Sequence, residues 1–78
     1  MEDNKRFHVC TIYQFKKTDD LQSLQKETDN FLDQKSIRGT ILIAREGING
    51  TISGRENSIN DFLVFLSKKG FKKLSVKK

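Results

Sequence analysis

The stretch that most constrains the fold is residues 39 to 54, where the apolar segment GTILIA runs directly into the glycine-rich segment REGINGTISG. Residues 39–44 are apolar and rich in β-branched side chains, and TISG (51–54) is a second, shorter segment of the same kind. Because only a few residues separate the two segments, they predict an antiparallel hairpin. The chain must therefore accommodate a hairpin whose connection is rich in glycine.

Two positions for the turn are open. Asn49-Gly50 is the standard type I′ dipeptide, but a turn there leaves only a stub of the following strand. A turn centred on residues 45 to 48, around Glu46-Gly47, sets Ile41 opposite Ile52 and Ile43 opposite Gly50, which forms an apolar pair on one face. We therefore expect the turn at 45–48.

A helix is predicted before the hairpin. Thr18 is placed to cap its first amide groups, and Asp19 and Asp20 suit the positive end of its dipole. The helix should end near residues 33–35. Its apolar stripe consists of Leu21, Leu24, Thr28, Phe31 and Leu32.

A second helix is predicted after the hairpin. Asn57 or Ser58 can cap its start, and Gly70 is placed to end it in a left-handed conformation. Lys68 and Lys69 suit the negative end of its dipole. Its apolar face consists of Ile59, Phe62, Leu63 and Leu66.

Two further strands complete the pattern. Residues 7–15 (FHVCTIYQF) carry apolar groups on both alternating sides, which predicts a central strand partly covered on two faces. Residues 71–76 (FKKLSV) predict the last strand, with Phe71 packing back on the second helix. The order βαββαβ predicts an α+β, ferredoxin-like fold: a four-stranded antiparallel sheet in the order 4-1-3-2 with both helices on one face. We expect residues 1–78 to form one such domain, and the chain's end at the fourth strand indicates a piece of a longer protein.

Composition narrows the class of protein. One cysteine in 78 residues excludes an internal disulfide framework and a thiolate metal cluster. The sequence has no apolar run long enough to cross a membrane and no apolar leader at its start. We therefore expect a cytoplasmic protein without a metal site.

The positive charge is concentrated at one end. The net charge is +5, and the last eleven residues contain six lysines and no acidic residue. Such a cluster suits contact with nucleic-acid phosphates, because each neutralised phosphate releases counterions. An ordinary solvated surface is the competing interpretation.

Several enzyme and ligand classes are disfavoured. His8 and Cys10 share a strand face without a further ligand at a recognisable spacing, so packing is their simplest role. The glycines at 47, 50 and 54 have neither the spacing nor the Lys-Ser/Thr pair of a phosphate-binding loop. Gly54-Arg55 could bind an anion at the free amides of the second helix, but we favour an ordinary helix cap there.

Two ligand-binding classes share the predicted topology. The glycine-cradled arginine of acylphosphatases is absent after the first strand, where the chain reads FKKTDD (15–20). RNA-recognition motifs place aromatic residues on the first and third strands; Tyr13 and Phe15 fit the first, but NGTISG (49–54) offers none on the third. At the hairpin tip, Arg45, Glu46 and Asn49 could present polar groups to a ligand.

The segment GTILIAREGINGTISG (39–54) closely resembles the hallmark of the bacterial rhodanese-like tRNA uridine hydroxylases, where it lies in an N-terminal acylphosphatase-like domain. The flanks fit as well, with IYQF (12–15) in the first strand and the spacing of Phe62 and Leu66 in the second helix. The resemblance covers essentially the whole chain.

This resemblance implies a tRNA-modifying enzyme that oxidises the wobble uridine to 5-hydroxyuridine, with molecular oxygen as co-substrate. Its catalytic cysteine lies in a rhodanese domain that follows the present domain, so Cys10 does not inherit that role and this chain has no turnover alone. The resemblance implies tRNA and the rhodanese domain as partners, both of which the open sheet face could meet. Candidate contacts to them are Arg45, Glu46, Asn49, Lys68, Lys69, Lys72 and Lys73.

Two alternatives remain beside this expectation. The domain could be an accessory part of a rhodanese-type sulfurtransferase, or a plain structural or RNA-binding module of ferredoxin-like fold.

Overall fold

The computed structural model describes residues 7–77, which form six elements in the order βαββαβ. The elements are β1 (His8–Phe15), α1 (Leu21–Gln34), β2 (Arg38–Ala44), β3 (Gly47–Gly54), α2 (Glu56–Lys68) and β4 (Ser75–Lys77). All strand pairs are antiparallel, and the order across the sheet is β2-β3-β1-β4, which is 4-1-3-2 read from the other edge. The predicted ferredoxin-like fold is therefore confirmed.

The core lies between the helices and one face of the sheet. Its centre is formed by side chains from alternate strand positions and from the apolar helix faces: Cys10, Ile12, Ile41, Ile48, Ile52, Ile59, Phe62, Leu66 and Phe71. In α1, Thr28 is fully buried and Leu32 is 6% exposed, which confirms the predicted stripe. Burial of such side chains is the main stabilising term for a domain of this size.

The central position of β1 is confirmed, but the predicted cover on both faces is wrong for the part of the chain that the structure describes. Cys10 and Ile12 are fully buried beneath the helices. On the other face Val9, Tyr13 and Phe15 are 59%, 50% and 82% exposed. No element within residues 7–77 covers them, because both helices lie on the opposite side of the sheet.

The β2–β3 turn is at Arg45 and Glu46, inside the predicted segment 45–48 and not at Asn49-Gly50. The predicted pairing is nevertheless wrong by two residues, since Ile41 lies opposite Gly50 and Ile43 opposite Ile48. The turn is held by the loop that follows β1: the amides of Lys16 and Thr18 donate to the carbonyls of Glu46 (2.8 Å) and Arg45 (2.9 Å).

Both predicted helix starts are wrong in detail. The Thr18 hydroxyl donates to the Lys16 carbonyl at 2.8 Å instead of capping a helix. Asp20 is the N-cap of α1 in a left-handed conformation (φ 54°), and the first turn of the helix holds no acidic residue. The second helix begins at Glu56 after an extended Arg55, so Asn57 and Ser58 lie inside it.

The predicted end of α2 is confirmed. Gly70 has a φ of 105°, its amide donates to Ser67 O at 3.0 Å, and the Phe71 amide donates to Leu66 O at 3.0 Å. These two bonds are the Schellman motif that satisfies the last carbonyls of a helix. The first helix ends in the same way on Ser36, whose φ is 56°.

The last strand is shorter than predicted. β4 contains only Ser75–Lys77, because the Lys72 amide turns back to Gly70 O at 3.1 Å. The Lys73 amide then donates to the side chain of Gln14 at 2.9 Å. The prediction of a strand is therefore wrong for residues 71–74, although Phe71 is buried as expected.

The outer edge of β2 is bonded by a side chain of α1. Gln25 Nε2 donates to Ile41 O at 3.0 Å, and the Ile43 amide donates to Gln25 Oε1 at 3.2 Å. The amide group of Gln25 thus takes the place of a neighbouring strand at one position of this edge.

Candidate functional site

The sheet surface turned away from the helices is the candidate site, and we call it the open sheet face. The register of the strands places fourteen residues on it: Val9, Thr11, Tyr13, Phe15, Arg38, Thr40, Leu42, Ala44, Gly47, Asn49, Thr51, Ser53, Ser75 and Lys77. None of these residues is acidic, and two are cationic. A surface of this composition is suited to bind a polyanion whose own flat rings are exposed, such as a single-stranded nucleic acid.

Two aromatic rings stand on its central strand. The rings of Tyr13 and Phe15 meet edge to face with centroids 5.8 Å apart. Asn49 lies opposite Tyr13, and Gly47 lies opposite Phe15. A cavity of about 240 Å³ lies beside these rings, lined by Tyr13, Gln14, Phe15, Ala44, Glu46, Gly47, Ile48 and Asn49. It has the volume of roughly eight waters in the liquid, which is enough for one flat ring.

A row of hydroxyl groups crosses the middle of the open sheet face. Thr51 of β3 lies between Thr40 of β2 and Thr11 of β1. The hydroxyls of Thr11 and Thr51 are hydrogen-bonded at 3.2 Å. This row offers donors and acceptors to a polar ligand without adding charge.

The predicted hairpin-tip group is only partly brought together. Arg45 and Glu46 form the turn and are exposed, but Asn49 lies on the open sheet face beside Tyr13 instead of at the tip. A Cβ on Gly50 would lie 2.2 Å from the Thr40 carbonyl oxygen, and one on Gly47 would lie 2.1 Å from the Gln14 oxygen. These two glycines thus permit close contact between neighbouring strands, which is a structural role.

The four predicted lysines differ in whether they make an ion pair. Lys69 Nζ lies 2.9 Å from Glu27 Oε2 and 5.7 Å from the centre of the Phe65 ring. Its charge is therefore already compensated. Lys68, Lys72 and Lys73 are exposed and make no ion pair with any other residue between 7 and 77.

The loop between β1 and α1 corresponds in position to the signature loop of acylphosphatases. A cavity of about 500 Å³ there is lined by Lys17, Thr18, Asp19, Asp20, Leu21, Gln22 and Arg45. Two carboxylates oppose its two cations, which disfavours an acyl-phosphate ligand.

Over residues 7–78 the chain matches the family described as the UPF0176 acylphosphatase like domain. The chain belongs to this family. The match includes every strand and helix of the structure, and the acylphosphatase-like fold in that description is the fold observed.

Two further observations bear on the class of protein. Neither helix of the described chain is long and apolar enough to cross a membrane. Within residues 7–77, no three side chains of His, Cys, Asp or Glu lie together in a way that could hold a metal ion.

Sequence reasoning missed part of the site. It identified Tyr13 and Phe15 but not Arg38 or Leu42, which share their face through the β2–β3 register. The alternation of β2 could have indicated this, because Ile41 and Ile43 alternate with Arg38, Thr40 and Leu42.

Proposed function

We propose that this domain binds tRNA within an enzyme that oxidises the wobble uridine to 5-hydroxyuridine with molecular oxygen. A rhodanese domain of the same longer chain would supply the catalytic cysteine. The sequence resemblance suggests the reaction, and the exposed aromatic pair on an acid-free sheet face is the observation that supports RNA binding.

Unpaired RNA bases can stack on the two exposed rings. Tyr13 and Phe15 are half and four-fifths exposed on the central strand, where four-stranded sheets of this topology stack bases. Each stacked base contributes about 1–3 kcal/mol by alanine substitution. The amide of Asn49 beside Tyr13 can both donate to and accept from a base edge.

The basic residues supply the second part of the affinity. Lys72 and Lys73 lie just before β4, next to the strand that carries the two rings. Lys68 lies at the end of α2. Cations around a stacking face are the usual arrangement for binding single-stranded nucleic acid, with phosphates held at the rim.

Fluorescence anisotropy with a labelled tRNA anticodon stem-loop tests the proposal. We expect Tyr13→Ala and Phe15→Ala each to weaken binding by about 5- to 150-fold, and Tyr13→Phe to retain most of the affinity. Val64→Ala is the matched control, because Val64 is an exposed apolar residue (54%) on α2. Absence of binding at 50 mM salt, or equal affinities for all four variants, would overturn RNA binding.

A second candidate is docking of the rhodanese domain on the same face. Val9 and Leu42 are each 59% exposed, and exposed apolar side chains of this kind are typical of protein interfaces. Addition of that domain as a separate chain would then shift the amide resonances of β1 and β2, and RNA would not. Nucleoside analysis of tRNA from a strain lacking the full-length gene, with a thiosulfate:cyanide assay of the full-length protein, separates hydroxylase from sulfurtransferase.

A further inference from the structure

Another cavity lies at the end of the sheet opposite the β2–β3 turn. Its volume is about 390 Å³. Three segments meet there: the end of α1, the start of β2 and the junction of β3 with α2. The lining residues are Phe7, Gln34, Lys35, Ser36, Arg38, Arg55 and Ser58.

The lining is cationic and contains no carboxylate. Lys35 is partly compensated, since its Nζ lies 3.3 Å from Asp61 Oδ2. Arg38 and Arg55 make no ion pair with any other residue of the described chain. Two unopposed guanidinium groups around one concavity repel each other, and an anion bound between them would relieve that repulsion.

The donors match a phosphate oxygen better than other anions. A guanidinium presents a planar fork of N–H groups that binds phosphate through two hydrogen bonds. The hydroxyls of Ser36 and Ser58 and the amide of Gln34 add neutral donors to the same concavity. The ring of Phe7, which is 64% exposed, forms an apolar wall against which a ribose or base can lie.

The cavity adjoins the open sheet face at Arg38, which belongs to both. We infer that it binds a phosphodiester group of the same RNA strand that stacks on Tyr13, an inference that rests on the proposed function. Leu42 and Tyr13 both lie level with Asn49 in the sheet. Arg38 is four residues before Leu42 on β2, so it lies about 13 Å from Tyr13 along the strand direction. An RNA strand whose bases are stacked covers this distance in about four nucleotides.

Single-charge variants of the complete chain test the site with a uridine octanucleotide. We expect Arg38→Gln and Arg55→Gln each to weaken binding about tenfold at 50 mM salt and to reduce the slope of log K against log salt by about 0.7. Lys26→Gln removes one charge on the exposed side of α1 and should leave both quantities nearly unchanged. Arg38→Lys keeps the charge but loses the fork, so it should lose several-fold in affinity with an unchanged slope.

The position of the phosphate is tested with octanucleotides in which one phosphate at a time is replaced by a neutral methylphosphonate. The Arg38→Gln effect should vanish for one position, within about four nucleotides of the base that Tyr13 holds. Equal effects of Arg38→Gln and Lys26→Gln, or no position at which the Arg38→Gln effect vanishes, would overturn the site. If Tyr13→Ala still weakens binding in that case, the proposed function survives without this cavity. If the unaltered chain does not bind the octanucleotide, the proposed function itself fails.

Discussion

Substitution of Gly50 by alanine should strongly destabilise the domain, although the position needs no unusual backbone dihedral. A Cβ there would lie 2.2 Å from the Thr40 carbonyl oxygen and 2.9 Å from Ile41 Cα. Close C···O contacts between strands are normally about 3.3–3.6 Å. Backbone atoms on both sides of the contact belong to the β2–β3 ladder, so a shift of about 1 Å distorts its hydrogen bonds.

The expected loss of stability is large for so small a change. Overpacking typically costs about 1–3 kcal/mol where side chains can adjust, and backbone contacts adjust less, so we expect about 3 kcal/mol or more. A chain of 78 residues has a total stability of about 4–12 kcal/mol. The melting temperature should therefore fall by about 12–24 °C.

Gly54→Ala is the matched control for Gly50→Ala. Its Cβ would meet Ile37 Cγ1 at 3.3 Å, and a side chain can move where a backbone carbonyl cannot. Alanine also lowers the entropy of the unfolded chain, which contributes about 0.4–1 kcal/mol, so we expect a change within about 1 kcal/mol. Urea unfolding followed by circular dichroism gives both values. If Gly50→Ala lowers the free energy of unfolding by less than about 1 kcal/mol, or by as much as Gly54→Ala does, the close-contact explanation is refuted.

Three further substitutions have expected effects on stability, each measured by the same urea unfolding. Gln25→Ala should cost about 1–3 kcal/mol, because Ile41 O and the Ile43 amide lose their partner; a loss near zero would mean that water replaces it. Thr28→Val should stabilise by about 1 kcal/mol, since its hydroxyl is buried without a hydrogen-bond partner among the described residues; a net loss would contradict this. Ser36→Gly should stabilise by about 0.5–1 kcal/mol by removing a side chain at φ 56°; destabilisation would show that the serine hydroxyl matters more.

Periodicity was sufficient for the order of the elements and for the buried faces of the helices. Apolar spacing in α2 correctly indicated Ile59, Phe62 and Leu66, which are at most 1% exposed. Periodicity could not predict the register of the hairpin, because Arg45 and Glu46 are placed by hydrogen bonds from the loop after β1, which is distant in sequence. Local capping rules failed at Thr18 for a similar reason, since its hydroxyl and amide both serve the loop that closes on this turn.

The sequence was sufficient to predict the aromatic residues of the candidate site, but not which of its charged residues make ion pairs. Tyr13 and Phe15 share a face by simple alternation, so the sequence alone indicated them. The compensation of Lys69 depends on Glu27, which is 42 residues away along the chain. The convergence of Arg38 with Arg55 likewise depends on the sheet, where Arg38 pairs with Ser53.

The Gln25 side chain at the outer edge of β2 has a consequence for association between chains. That edge is partly occupied, because Ile41 O and the Ile43 amide already bond to the Gln25 amide group. A strand from a second molecule could pair with β2 there only by breaking these two bonds. Gln25 therefore protects this border of the sheet against strand addition, and Gln25→Ala should make association through β2 easier.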